Sequence, residues 1–216
     1  MGVSAAQGSA GLKPGVCTST TRPSNPFEGQ MIYETDTDLT YIYGGAAWQQ
    51  VSGGTAVGNS GLVYVTSATI GTAVSSVTVS NAFSATYDNY LVTIGGGVSS
   101  AGCSLDVSLG STTSGYKWCL IWTSWGATVF SDFSASAANM RYMGRSDTNG
   151  QDAHIDIMSP FLSKNTRVLG SAISSSDTGT TTGFLQNSTS YTAFTITPSG
   201  GTLTGGTITV YGYRKA

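Results

Sequence analysis

Charge is scarce in this 216-residue chain: Asp, Glu, Lys and Arg together make up 9% of it, with a formal net charge of −2. Without a basic stripe there is no electrostatic footprint for a phosphate backbone or an anionic bilayer, so neither nucleic acid nor a membrane is expected as a partner. Histidine is reduced to His154, and cysteine to Cys17, Cys103 and Cys119. Three widely spaced thiols with no Cys-x-x-Cys pair signal neither a disulfide framework nor a zinc site. They read as reduced thiols of a protein made in a cytoplasm, with Cys103 and Cys119 as small core residues. Long apolar runs are missing too. No positively charged segment leads into an apolar stretch at the N-terminus, so neither a signal peptide nor a membrane span is expected. Met1-Gly2-Val3-Ser4-Ala5-Ala6 opens like a myristoylation signal but has Ala6 where Ser or Thr is required. Asn187-Ser188-Thr189 matches a glycosylation acceptor, which has meaning only in a secretory pathway.

What is present is glycine, 29 residues of it, with abundant Ser and Thr and a tenth of the chain aromatic. That is the composition of many short strands joined by tight turns, and no helical period competes with it. The aromatic and β-branched content is too high for disorder. A chain of this length can bury roughly 70% of its unfolded surface, enough for one ordinary domain and a small module.

Residues 1–20 are small, polar and unpatterned, and are expected to be an extended N-terminal arm with no fold of its own. Residues 21–51 read as a β-meander: Met31–Tyr33, Thr40–Tyr43 and Trp48–Val51 are β-prone, with Glu-Thr-Asp-Thr-Asp and Gly-Gly-Ala-Ala between them. Three such strands bury little, so the meander should dock on something. Residues 52–60 are a linker by composition.

From residue 61 to 216 strands of four to eight residues recur, the best candidates being Tyr90–Ile94, Ser104–Leu109, Lys117–Thr123, Ala153–Met158, Thr166–Ile173, Tyr191–Thr197 and Thr207–Tyr213. Leu105, Val107 and Leu109 alternate with Ser104, Asp106 and Ser108, and Ile155 and Ile157 alternate with His154 and Asp156, so each strand should have one core face. With no helix to cross over on, the pairing should be antiparallel. The expected fold class is all-β, a small N-terminal β-meander followed by an antiparallel β-sandwich of jelly-roll type. No heptad or short β-helix repeat supports a long shaft.

Several groups invite a chemical reading. Asp152, His154 and Asp156 share one strand face, but a metal would need ligands from elsewhere and a hydrolase a nucleophile, so a solvated face is the expectation. Glu34, Asp36 and Asp38 belong to a turn, because a calcium loop starting at Asp36 would need Gly and Glu where Tyr41 and Ala47 stand. Trp118, Leu120 and Trp122 fall on one side of a strand by parity, which suits a sandwich core. With Tyr116 and Trp125 they also offer aromatic rings for the apolar faces of sugars. Tyr116, Trp122 and Trp125 are therefore candidates for a receptor surface. Glycan hydrolysis needs two opposed carboxylates, and no pair stands out among Asp132, Asp147, Asp152 and Asp156. Arg141 and Arg145 need not cluster in a strand. No catalytic residue, metal site or cofactor is expected.

The run Thr21-Arg22-Pro23, then Pro26-Phe27-Glu28-Gly29-Gln30-Met31-Ile32-Tyr33-Glu34-Thr35-Asp36, closing on Trp48, resembles a short module common in tail fibre and other exposed virion proteins of tailed bacteriophages. Tyr87-Asp88-Asn89-Tyr90 and the terminal Gly206-Thr207-Ile208-Thr209-Val210-Tyr211-Gly212-Tyr213 look like the ends of a β-sandwich from the same class of proteins; residues 95–190 carry no such signature. The resemblance implies a virion component, made in the bacterial cytoplasm, usually a homotrimer, with the N-terminal part on the particle and the sandwich facing outward. Arg22, Pro23, Phe27, Tyr33, Tyr41, Tyr43 and Trp48 are then the expected attachment or oligomer contacts, each aromatic offering on the order of 150–250 Å². The leading expectation is a non-enzymatic short tail-fibre or head-fibre appendage that contacts a host surface glycan or protein. The alternative is a capsid decoration or cement protein, and the third is a surface-polysaccharide depolymerase.

Overall fold

The computed structural model describes residues 14–52 and 61–215, and every regular element among them is a strand. The chain divides into two units, 1–60 and 61–216. In the first, β1 (Gly15–Cys17), β2 (Met31–Glu34), β3 (Leu39–Tyr43) and β4 (Trp48–Ser52) form one sheet in that order. The arm expected to lack structure through residue 20 is corrected at its C-terminal end. Gly15–Cys17 runs parallel to β2, with Val16 opposite Tyr33, because the open edge of β2 offers main-chain partners to any extended segment. Ser52, expected in the linker, ends β4. Residues 1–13 of the arm and 53–60 of the linker lie outside the described residues.

Only Ile32 and Glu34 are buried among the described residues of this sheet. Arg22 reaches onto their face, pairing with Glu34 and lying 4.3 Å from the centre of the Tyr41 ring. Alternation puts Val16 and Met31 on the opposite face, where both are exposed. A sheet with a single buried aliphatic residue has no core of its own.

The second unit contains β5 (Leu62–Thr69), β6 (Val77–Val79), β7 (Asn89–Gly95), β8 (Val98–Ser99), β9 (Cys103–Leu109), β10 (Tyr116–Ser124) and β11 (Val129–Ala137). They are followed by β12 (Met140–Ser146), β13 (Gln151–Met158), β14 (Thr166–Ile173), β15 (Asp177–Leu185), β16 (Phe194–Pro198), β17 (Leu203–Thr204) and β18 (Thr207–Tyr213). The pairings trace an eight-stranded antiparallel layer, β5-β18-β7-β13-β14-β15-β10-β11, and a four-stranded one, β6-β16-β9-β12. They are joined where β12 and β13 pair through Arg145 with Asp152 and Ser146 with Gln151. Strand β8 pairs separately with β17. Inward residues of both layers make the core: Tyr90, Val92, Ile155, Ile157, Ile208 and Val210 on the larger, Leu105, Val107, Leu109, Phe194 and Ile196 on the smaller, all buried.

The two segments that resemble sandwich ends are neighbours in space. Tyr90 pairs with Gly212 and Val92 with Val210, and a Cβ on Gly212 would lie 2.3 Å from the Tyr87 ring. The expected strand from Tyr191 starts only at Phe194, because Tyr191 turns inward to bond Thr112 and Asn187 through its hydroxyl. Strand β9 does not have one core face but two covered ones, since Ser104 and Asp106 are also buried. Cys103 is buried as expected, whereas Cys119 is exposed, on the opposite side of β10 from its tryptophan neighbours.

Candidate functional site

On β10, Trp118, Leu120 and Trp122 point inward as parity requires. Register sets a glycine against each indole: Trp118 stands opposite Gly183, Leu120 opposite Thr181 and Trp122 opposite Gly179 on β15. A Cβ at residue 179 would lie 2.6 Å from Trp122 Cγ, and one at residue 183 would lie 3.0 Å from Trp118 Cβ. Each tryptophan therefore packs on bare backbone, which only glycine leaves open.

Strand β12 meets these rings with a bulge. Met140 pairs with Val107 and Gly144 with Leu105, so Arg141, Tyr142 and Met143 stand opposite the single residue Asp106. Tyr142 adopts φ 58°, a left-handed conformation that bulky residues rarely take. Its N–H donates to Asp106 Oδ1 at 3.2 Å and its carbonyl accepts from Thr181 Oγ1 at 3.0 Å. The phenol is thereby held beside both indoles, with ring centres 6.0 Å from Trp118 and 5.9 Å from Trp122.

Two arginines bracket the rings. Arg141 lies 4.7 Å from the Tyr142 ring and Arg145 5.2 Å from the Trp122 ring, close enough for cation–π attraction. Arg145 is fixed by Asp177 through Nε–Oδ1 at 2.9 Å and Nη2–Oδ2 at 2.7 Å. Asp106, beneath the bulge, accepts from Ser104 Oγ and the Tyr142 N–H, and Arg141 Nε approaches it at 3.7 Å. Burial still pushes its carboxyl above the usual aspartate value, against those hydrogen bonds.

Beside this cluster a cleft of about 370 Å³ opens, lined by Leu120, Trp122, Phe130, Asp132, Tyr142 and Arg145. Phe130 and Asp132 come from β11, where they pair with Trp122 and Leu120. The indole N–H groups of Trp118 and Trp122 are buried without a hydrogen-bond partner. Buried indoles ordinarily find one.

The candidate receptor residues divide. Trp125 is 61% exposed, its indole donating to the Ser174 carbonyl at 3.1 Å. Tyr116 is fully buried, receiving a hydrogen bond from the Leu109 N–H at 2.8 Å, and burial pushes its phenol up to about 12. Trp122 is 5% exposed. Of the two readings the sequence left open, Tyr116 follows the core one and Trp122 forms a cleft wall, and Trp125 alone of the three candidates is an exposed ring. Comparison with protein families, curated proteins and solved structures returns no match. The site therefore stands on its geometry.

Asp152, His154 and Asp156 do share the outer face of β13, where His154 is exposed. Asp152 accepts from the Ile173 N–H and Asp156 from the Tyr213 hydroxyl at 2.5 Å, and this bond holds the phenol up to about 12. In the first unit Glu34, Asp36 and Asp38 are each engaged separately, by Arg22 and Thr37, by Ser19, and by the Tyr33 hydroxyl. Phe27 is exposed there. Pro23, Tyr33, Tyr41, Tyr43 and Trp48 are half-buried, with Tyr43 and Trp48 edge to face at 5.4 Å.

Sequence reasoning did not find Tyr142, Asp177 or the glycines beneath the indoles, and held that Arg141 and Arg145 need not cluster. The bulge brings the two arginines to one ring system. A usable signal existed: Gly179-Thr181-Gly183 has the same period-two spacing as Trp118-Leu120-Trp122.

Proposed function

We propose that this protein is a non-enzymatic structural component of a tailed-bacteriophage virion, attached through its N-terminal part and presenting the β-sandwich to the host surface. The observation that carries this reading is the four-stranded N-terminal sheet, ordered yet burying, among its described residues, only Ile32 and Glu34 and exposing Val16, Met31 and Val51. Such a sheet gains most of its stability from what it is fixed to. The resemblance of Thr21–Trp48 to phage virion modules names that support as the particle. In the second unit, β5-β18-β7-β13 and β6-β16-β9-β12 form two four-stranded layers between which the chain passes repeatedly, an order that supports the jelly-roll reading. A homotrimer follows from the same resemblance.

The test is location and binding. Gold labelling of the C-terminus on intact particles should decorate tail or head appendages, and purified protein should bind host cells saturably. Retention on fibre-less heads without cell binding would assign it instead to capsid decoration, and release of reducing sugar from host polysaccharide would overturn the non-enzymatic reading.

A further inference from the structure

We infer that the cleft between β11 and the β12 bulge is a saccharide subsite, taking one or two neutral sugar rings stacked on its aromatic wall. The inference deepens, and rests on, the host-contact reading. Two independent features set the cleft apart from ordinary core.

The first is conformational. Packing two indoles on a β-sheet does not require a tyrosine in the left-handed region, yet β12 spends two extra residues and a φ of 58° to place the Tyr142 ring there. Bulges that re-aim a side chain and non-glycine residues held in sparsely populated backbone regions collect at binding sites.

The second is the mixture of groups. Asp177 occupies Nε and Nη2 of Arg145, leaving Nη1 as a donor, while Asp132 accepts only from the Phe133 N–H through Oδ1. Donor and acceptor beside an aromatic wall match vicinal hydroxyls on a ring with an apolar C–H face. An anionic ligand would meet Asp132 and Asp177, and a wholly apolar one would desolvate the Asp132 carboxylate and the Nη1 edge of Arg145 with nothing in return. The volume of about 370 Å³ lies within the usual range for small-ligand pockets, about 300–1,000 Å³.

The experiment uses the full chain on an array of bacterial surface saccharides, with affinities for the bound members measured by titration calorimetry. Phe130 is 53% exposed and Asp132 is also exposed, so Phe130→Ala and Asp132→Ala leave the fold intact, as an unchanged melting temperature will verify. Each should weaken saccharide binding at least about tenfold, as losses at an interface centre do, while Phe133→Ala, on the other face of the same strand, should leave it unchanged. No bound saccharide, or equal affinity in the Phe130 and Asp132 variants, overturns the subsite. Wild-type and variant proteins that bind host cells equally would refute this cleft and keep the host-contact reading. A protein that binds neither cells nor saccharides ends both.

Discussion

Arg145 grips Asp177 with two parallel hydrogen bonds, at 2.9 and 2.7 Å, while its guanidinium lies 5.2 Å from the Trp122 ring centre. The side chains are 17% and 21% exposed, so solvent screens the pair only in part. A lysine ammonium cannot span both carboxylate oxygens, and it loses the planar contact with the indole. Arg145→Lys should destabilise the sandwich by about 2 kcal/mol, read as a lower urea midpoint at unchanged slope. A change below about 0.5 kcal/mol, the ordinary surface value, would show that the clamp carries no stability.

Asp106 makes an opposite demand on pH from Glu34, Asp36 and Asp147, whose carboxyls hydrogen bonds hold low. Its folded pKa is raised, chiefly by burial, so the folded state holds its proton more tightly than the unfolded state. Its contribution is most favourable at low pH and falls as pH rises from the unfolded value near 3.8 through the folded one. Asp106→Asn should remove that decline: relative to wild type, the variant gains stability as pH is raised across this window in a series of denaturant titrations. A constant difference at every pH would refute the assignment.

The glycines under the indoles are space-limited. A Cβ at residue 183 would come within 2.3 Å of the Lys117 carbonyl oxygen and 2.8 Å of Met140 Sδ, whereas one at residue 150 would meet nothing within 4 Å. Gly183→Ala is expected to cost about 1–3 kcal/mol. Gly150→Ala should stay within about 0.5 kcal/mol. Thermal unfolding of the two variants side by side checks the contrast.

In the N-terminal sheet the Arg22 hydrogen bond, foremost, holds the Glu34 carboxyl below its usual range. That stabilisation is present above the unfolded glutamate value and is lost as pH falls through the lowered folded one. Arg22→Ala leaves a buried carboxylate without its cation. The variant should lose amide-exchange protection across residues 31–43 at neutral pH, with protection in β7 and β13 unchanged. Full protection in residues 31–43 would show that Arg22 is dispensable.

Much of the fold was legible because apolar residues alternate along its strands: Leu105, Val107 and Leu109 on β9, Trp118, Leu120 and Trp122 on β10, Ala153, Ile155 and Ile157 on β13, Ile208 and Val210 on β18. Strands β11 and β15 escaped because VFSDFSASA is mostly exposed and DTGTTTGFL replaces core aliphatics with glycine under the neighbouring tryptophans. The cleft stayed hidden for a related reason. Its components were visible singly, but their meeting depends on a two-residue bulge at Tyr142, and no local propensity marks a bulky residue for the left-handed region. Tyr116 misled because an aromatic beside Trp118 looks like surface until its hydroxyl is found bonded to Leu109.

The strand order of the larger layer has one more implication. Strands β10–β11 and β14–β15 line up together beyond β13, yet Tyr116, Trp118, Val168 and Leu185 carry the core out to them. Met143 and Met140 of β12 close over Gly170 and Gly183 on these strands. The cleft therefore spans two sets of strands, Trp122 and Phe130 on one and Tyr142 and Arg145 on the other, and a shift between them would change its width before any of its residues changed.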